Sequence, residues 1–312
     1  MARLLTTTNP ALYAPGLRKV YFSAVADIPK EFRQFLNVIN GANPGGQAGR
    51  NYFDDEQVAS LSTFVPKPEG DAIQYDRIQQ VGSVRYTPFT FGLGCRVTME
   101  AMDDELYGVM AKLSKELGAA GAHQAEVQGH RPFNSGFGTT GGTGFTAAGF
   151  DTLALFSTAH TLKRGGTAAN RATTDADLSV TAIEIATDLF ETTPNESNMP
   201  APRSPAVLIV NPAQVWTAKE IAESQLKPYT ANNEINPVKG TFTYFIDHYL
   251  TDSDSWYLLA EKDRHDINAW MRKPIDVEFD SDFDTGDLKM KGVFRMAVGH
   301  GDWRGTFGSL GA

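Results

Sequence analysis

One long apolar stripe in the middle of the chain restricts the fold more than any other feature. Over residues 99 to 128, Met99, Met102, Leu106, Val109, Met110, Leu113 and Leu117 recur mostly at steps of three and four, the spacing that lines side chains along one face of a helix. Glu100, Asp103, Asp104 and Glu105 crowd the start and Lys112 and Lys115 follow, which suits the helix dipole. At 1.5 Å per residue such a helix is about 45 Å long. Gly108, Gly118 and Gly121 weaken it, so a bend or an early end is expected.

Just before the stripe the pattern becomes strand-like. Across residues 69 to 98, Ile73, Tyr75, Ile78, Val81, Val84, Tyr86, Phe89, Phe91 and Val97 include several that alternate with polar neighbours, and Gly82-Ser83 and Gly92-Leu93-Gly94 offer turn or bulge positions. The reading is a long two-stranded ribbon, marginal alone, which must lie on its own body or on a neighbour. Residues 1 to 65 read as an arm that mixes Pro10, Pro15 and Pro29 with Gly41, Gly45, Gly46 and Gly49. Its one compact helix candidate spans residues 29 to 39, where Phe32, Phe35, Leu36 and Ile39 share helical spacing. Such a sticky helix needs a partner surface.

After the stripe, residues 129 to 150 are glycine-rich and residues 151 to 156 read as a short strand. A helix is expected over 179 to 192, with Ile183, Ala186, Leu189 and Phe190 on one face. The run Ala206-Val207-Leu208-Ile209-Val210 reads as a buried strand, followed by Asn211 as N-cap and Pro212 opening a helix to about residue 226. Strands are expected at 242 to 247, 256 to 260, 275 to 279 and 288 to 298. The sum is an α+β chain with mixed sheets and one long helix.

Charge and composition exclude several functions. The net charge is -9, although residues 1 to 50 carry six basic side chains (Arg3, Arg18, Lys19, Lys30, Arg33, Arg50) against Asp27 and Glu31. No broad surface for holding nucleic acid by its phosphates is expected. The five-residue aliphatic run is far short of the roughly 20 residues that cross a bilayer. The start runs at once from Leu4-Leu5 into Thr6-Thr7-Thr8-Asn9-Pro10, so no secretory signal and cytoplasmic synthesis are expected. A single cysteine, Cys95, excludes disulfide scaffolds and cysteine zinc sites.

Catalytic and cofactor motifs fail on context. Gly136-Phe137-Gly138-Thr139-Thr140-Gly141 fits G-x-G-x-x-G, but no hydrophobic strand precedes it and residues 142 to 149 are too glycine-rich for the helix that must follow. Residues 280 to 287 begin like a calcium loop, but Thr285 and Lys291 stand where the glycine and the bidentate glutamate belong. That segment reads as a hairpin turn with Gly286 at positive φ. Ser157, His160 and Asp151 lie close in sequence without a nucleophile elbow, and the six histidines show no metal-ligand spacing. No catalytic, cofactor or metal residues are assigned.

The order of elements, namely arm, ribbon, long helix, glycine-rich connection, mixed α/β unit and last strands, resembles the Hong Kong 97-type major capsid protein of tailed double-stranded DNA bacteriophages. Gly94-Cys95-Arg96-Val97-Thr98-Met99-Glu100-Ala101-Met102-Asp103-Asp104 is similar to that family's entry from extended loop into spine helix. Phe156-Ser157-Thr158-Ala159-His160, the Val210-Asn211-Pro212 corner and Phe294-Arg295-Met296-Ala297-Val298-Gly299-His300-Gly301-Asp302-Trp303-Arg304 add to the resemblance, which covers nearly the whole chain.

The resemblance implies an N-terminal arm (1–65), an extended β-hairpin loop (66–97), a peripheral domain with spine helix and glycine-rich connection (98–172), an axial domain (173–268) and the peripheral domain's C-terminal strands (269–312). Loops near 227 to 240 would face the centre of a hexamer or pentamer. It implies a non-enzymatic virion protein, assembled in the host cytoplasm, whose partners are copies of itself, a scaffolding protein, a portal, a decoration protein and non-specifically contacted packaged DNA, with no membrane. Arg18, Lys19, Phe32, Phe35, Tyr75, Arg77, Arg85 and Tyr86 are the expected subunit-interface residues. The founding member's lysine-to-asparagine crosslink is not expected, because residues 71 to 97 hold no lysine and no asparagine follows Asn268. Residues 1 to 65 are also too short for the fused assembly domain of some members. The alternatives are an encapsulin-like compartment of the same fold, a tail or baseplate protein, and a soluble enzyme without a recognisable motif.

Overall fold

A computed structural model describes residues 10–41, 50–104, 108–227 and 234–312. The N-terminal part forms α1 (Pro10–Asp27), α2 (Phe32–Phe35), β1 (Asn37–Asn40) and β2 (Phe53–Val58). β3 (Gln80–Tyr86), β4 (Phe89–Val97), α3 (Met99–Asp103), α4 (Val109–Gly129) and α5 (Arg131–Asn134) follow. The apolar stripe is thus helical in two pieces. Gly108 sits at φ +66° immediately before α4, a conformation that an L side chain resists, and this breaks the continuous 30-residue helix expected from the pattern. Thr98 caps α3, its Oγ1 accepting from the Ala101 N–H at 3.4 Å.

Short strands β5 (Phe145–Thr146), β6 (His160–Thr161) and β7 (Thr167–Ala168) lead to α6 (Val180–Thr192), β8 (Val207–Val210) and α7 (Val215–Glu223). Then come β9 (Thr243–Ile246), β10 (Trp256–Leu259), β11 (Ile267–Ser281), β12 (Leu288–His300) and β13 (Thr306–Ser309). The first sheet has the order β1-β11-β12-β4, with β5 added to β12. β1 runs parallel to β11, while β12 lies between β11 and β4 and is antiparallel to both. Met110 and Leu117 of α4 meet Val97, Val277, Leu288 and Met290 of this sheet, with Leu17 and Tyr21 of α1 in the same core. The helices α1 and α4 cross closely: a Cβ on Gly118 would stand 2.5 Å from the Tyr21 carbonyl oxygen.

The second sheet has the order β13-β10-β8-β9. Its core joins Leu208, Val210, Trp256, Leu258 and Phe307 to Ile183, Ala186 and Phe190 of α6 and Ala218 and Ile221 of α7. Ser179 caps α6 as a β-region residue, its Oγ accepting from Ala182 N–H at 3.1 Å. Asn211 Oδ1 accepts from Ala213 N–H at 3.0 Å and opens a 3-10 turn at Pro212–Gln214 before α7, as the Asn-Pro corner predicts. A third core, holding Phe35, Phe133, Phe156, Ile209, Tyr257 and Met296, joins the two sheets.

Several expectations are corrected. The arm is not extended where it is described. Leu17, Tyr21 and Ala24 form a buried face of an 18-residue helix whose packing on α4 outweighs the hydrogen bond lost at Pro15. The sticky helix is only four residues long, and its partner is the chain's own interior, because Phe32 and Phe35 are buried there. The ribbon is displaced: β3 pairs with β2, not β4, while β4 pairs with β12. The hairpin therefore begins at Phe53 rather than at residue 66. Residues 151 to 156 form a turn that leads into buried residues 154 to 156, with Thr152 at φ 64° and its N–H donating to the Gly149 carbonyl at 3.0 Å. The β11–β12 connection is the hairpin turn that was expected, with Gly286 at φ 73°. Two of its carboxylates are engaged in ion pairs, Asp282 with Lys289 at 2.6 Å and Asp287 with Arg96. Among the described residues no helix is long and apolar enough to cross a membrane.

Candidate assembly surface

Between β2 and β3 the chain leaves the body. The Ala59 N–H donates to the Gln79 carbonyl at 2.7 Å and closes the base of the excursion. Residues 60 to 79 beyond it contain no strand or helix, and every one is exposed. Leu61, Phe64, Val65, Ile73, Tyr75 and Ile78 stand in solvent, Phe64 completely and Tyr75 at 93%. A group of large apolar side chains on one unpaired segment is the surface signature of a binding face.

The segment is anchored at its two ends by Arg164 and, at Ser60, also by the Ser197 hydroxyl, which donates to the Ser60 carbonyl. Arg164 donates to both oxygens of Asp76 at 2.6 and 3.1 Å and to the carbonyls of Ser60 and Arg77 at 3.4 and 3.3 Å. Asp76 also accepts from the Ser62 N–H at 2.7 Å. These donors, Arg164 foremost, hold the Asp76 carboxyl well below its usual range. Other large apolar residues are exposed at Trp216 of α7, Ile235 and Phe283. Within residues 227 to 240, expected at a ring centre, 228 to 233 lie outside the described residues.

The eight expected interface residues divide three ways. Lys19, Tyr75 and Arg77 are on the surface. Arg18 is exposed but pairs with Asp276 at 3.1 Å, and Arg85 pairs with Asp54 at 2.6 Å and lies 3.9 Å above the Tyr52 ring. Phe32, Phe35 and Tyr86 are interior: Phe35 meets Phe133 and Phe245 edge-on, and Tyr86 stacks on Phe53. Sequence reasoning missed Phe64, Leu61 and the Arg164 anchor. An apolar run between two strands with no opposing alternation was the available signal for the first two.

The polar groups that sequence proximity had suggested for catalysis are built into the interior. His160 Nδ1 is 2.6 Å from Asp151, but its Nε2 lies 3.0 Å from the Asn170 side-chain oxygen and its ring stacks on Trp303 at 4.2 Å. Ser157 Oγ accepts from the Ala159 N–H instead. A serine nucleophile needs the free imidazole nitrogen that Asn170 occupies here. His300 is buried beside this group, and burial pushes it down to about 4.

A second buried polar group joins α2, α4 and the end of β9. His130 and Asp247 face each other at 3.1 Å with both side chains fully buried. Glu31 accepts from the His248 backbone N–H at 3.1 Å and holds its Nδ1 at 2.8 Å. Glu126 accepts from the Phe32 N–H at 3.1 Å, and burial pushes its carboxyl up to about 7.

A sequence model of the family described as phage capsid protein matches residues 80–308. No curated protein matches the chain. Among solved structures, the capsid of the native GTA particle is similar over 90% of each chain, with a TM-score of 0.60 and 11% identity. The capsid of bacteriophage JBD30, decorated with minor capsid protein trimers, has a TM-score of 0.57 and 14% identity over 78% of this chain and 99% of that one. A virus-like particle from Pyrococcus furiosus has a TM-score of 0.51 and 11% identity over 95% of this chain and 99% of that one.

Proposed function

The chain belongs to the phage capsid protein family and has the Hong Kong 97-type fold, and from that premise we propose that copies of it associate as hexamers and pentamers into the icosahedral head that encloses double-stranded DNA. The observation that carries this reading is the exposed apolar segment at residues 60–79. An apolar group of this kind gains free energy only when another surface covers it, and the described remainder of the chain leaves it bare. The neighbouring subunit supplies that surface, with Tyr75 and Arg77 in the contact and Arg18 and Lys19 on the outer face of α1. The net charge of -9 opposes adhesion of packaged DNA to the shell. The protein has no enzymatic role, is assembled in the host cytoplasm, and works with a separate scaffolding protein, a portal and a decoration protein.

Cryo-electron microscopy of fast-sedimenting particles from the native source tests the proposal. The expected result is closed icosahedral shells filled with layered DNA density, with residues 60–79 crossing onto a neighbour. Shells enclosing protein rather than DNA would move the assignment to a compartment. Small soluble oligomers alone would overturn it.

A further inference from the structure

The buried group around His130 has the geometry of a set of ligands facing a common cation. His130 Nδ1 lies 2.6 Å from the Glu126 carbonyl oxygen. A carbonyl can only accept, so Nδ1 carries the proton, and Nε2 faces Asp247 as a bare lone pair when the ring is neutral or as a second N–H when it is charged. Nε2 lies 3.1 Å from Asp247 Oδ2, yet neither atom makes a hydrogen bond and both are inaccessible to solvent. Asp247 Oδ1 is already used, accepting from the Tyr249 N–H at 2.8 Å. Two buried lone pairs aimed at each other are costly unless a positive charge stands between them.

Glu31 completes the group. Ligating atoms of Glu31, His130 and Asp247 all lie within 4.8 Å of one another, and Glu31 is itself buried. A tetrahedral ion with ligands at roughly 2.0–2.1 Å brings its donor atoms to about 3.4 Å apart. The His130–Asp247 pair already approaches that spacing, and Glu31, whose oxygens also bond the His248 N–H and ring, closes on it from within 4.8 Å. We propose that Glu31, His130 and Asp247 bind a zinc-like divalent cation that clips the segment preceding α2 and the end of β9 to the C-terminal end of α4. One imidazole with two carboxylates selects this class over calcium or magnesium, which favour all-oxygen shells. The carbonyl that fixes the imidazole tautomer is the kind of outer contact that orients a ligating histidine. The role of the ion is structural, because the site is closed and its ligands come from three separate stretches of chain.

The test uses the full chain, stripped with chelator and dialysed against zinc chloride or magnesium chloride. The expected result is one zinc retained per chain by elemental analysis, with a higher thermal midpoint and no response to magnesium. Glu31→Gln and Asp247→Asn are each expected to weaken zinc retention at least tenfold. If either variant does not fold, the 15N resonance of His130 Nε2 in the wild-type chain reads the site directly and is expected to shift on adding zinc. No zinc retained, equal retention by wild type and folded variants, or an unmoved Nε2 resonance would each overturn the proposal and leave His130 as an imidazolium beside Asp247.

Discussion

The second sheet and the segment at residues 60–79 are both rich in large apolar side chains, yet their surroundings are opposite. Leu208, Ile209, Val210, Leu258 and Leu259 are completely buried within a few strands and helices of one chain. Leu61, Phe64, Ile73, Tyr75 and Ile78 are exposed, and their segment is held to the body by its β2–β3 base and by hydrogen bonds centred on Arg164. Apolar content alone therefore does not say where a segment's partner lies. Damage to the sheet should be felt by the isolated chain, and damage to the loop only by the assembly.

The largest effect is expected in the sheet. Leu258 is fully buried between β8 and β13, and Leu258→Ala should cost about 2–5 kcal/mol through lost burial and the cavity left behind, read by urea unfolding of the monomeric chain. A loss below about 1 kcal/mol would contradict tight packing of β10 between its neighbours.

The next effect depends on pH. His265 Nε2 donates to the Phe35 carbonyl at 2.9 Å and Nδ1 accepts from the Ile267 N–H at 3.3 Å, so the neutral ring is fully bonded, and burial pushes it down to about 4. Its folded value lies below its unfolded one, so its contribution is complete above about pH 6.5 and is lost as the pH falls towards 4. Glu126 and Asp266, pushed up to about 7 and about 6 by burial, act with the opposite sign. The measurement is therefore the difference in unfolding free energy between wild type and His265→Gln. This difference should fall by up to about 3 kcal/mol between pH 7 and pH 4, and a flat difference would contradict the buried neutral ring.

A third substitution tests the contact between α1 and α4. Gly118→Ala places a Cβ against the Tyr21 backbone, and the two helices must separate at a cost of about 1–3 kcal/mol. Unchanged stability would show that α1 is only loosely applied, as the arm reading from the sequence had it.

These regions also differ in how well the sequence announced them. The β8 run, Asn211, Pro212 and the capped helix α6 were legible because pattern, cap and buried partner lie close together in the chain. The helix α1 was not, since Pro10, Pro15 and Gly16 look like breakers and the face that stabilises it, on α4, is nearly a hundred residues away. β11 was read from residue 275, but it starts at Ile267 and passes through register shifts between Met271 and Asp276, flanking Pro274, where a proline is tolerated in a sheet. β13, with Gly308 inside it, carries too little pattern to read as a strand. The candidate assembly surface was only half legible. Tyr75 stood out from the strand-like pattern and Arg77 entered with the resemblance, but the exposure of Phe64 and the pairing of Asp76 with Arg164 depend on β2 being the outgoing strand.

The smallest effect on the folded chain should come from the loop, and it separates the two regions most sharply. Phe64 and Tyr75 touch little of their own subunit, so Phe64→Ser with Tyr75→Ser should change the unfolding free energy by no more than about 0.5 kcal/mol. Arg164→Ala removes a half-buried ion pair together with bonds to two carbonyls and should cost about 1 kcal/mol. In assembly the order reverses. The serine pair removes the apolar anchors offered to a neighbour and should abolish closed shells in electron micrographs, whereas Leu258→Ala chains that remain folded should still close. If the serine variant unfolded like Leu258→Ala, the loop would have a partner inside its own subunit. If it assembled normally, the contact between neighbours would have to lie elsewhere, on α1 or around Trp216 and Ile235. Only a stable chain that fails to assemble fits a segment whose apolar face is completed by another copy.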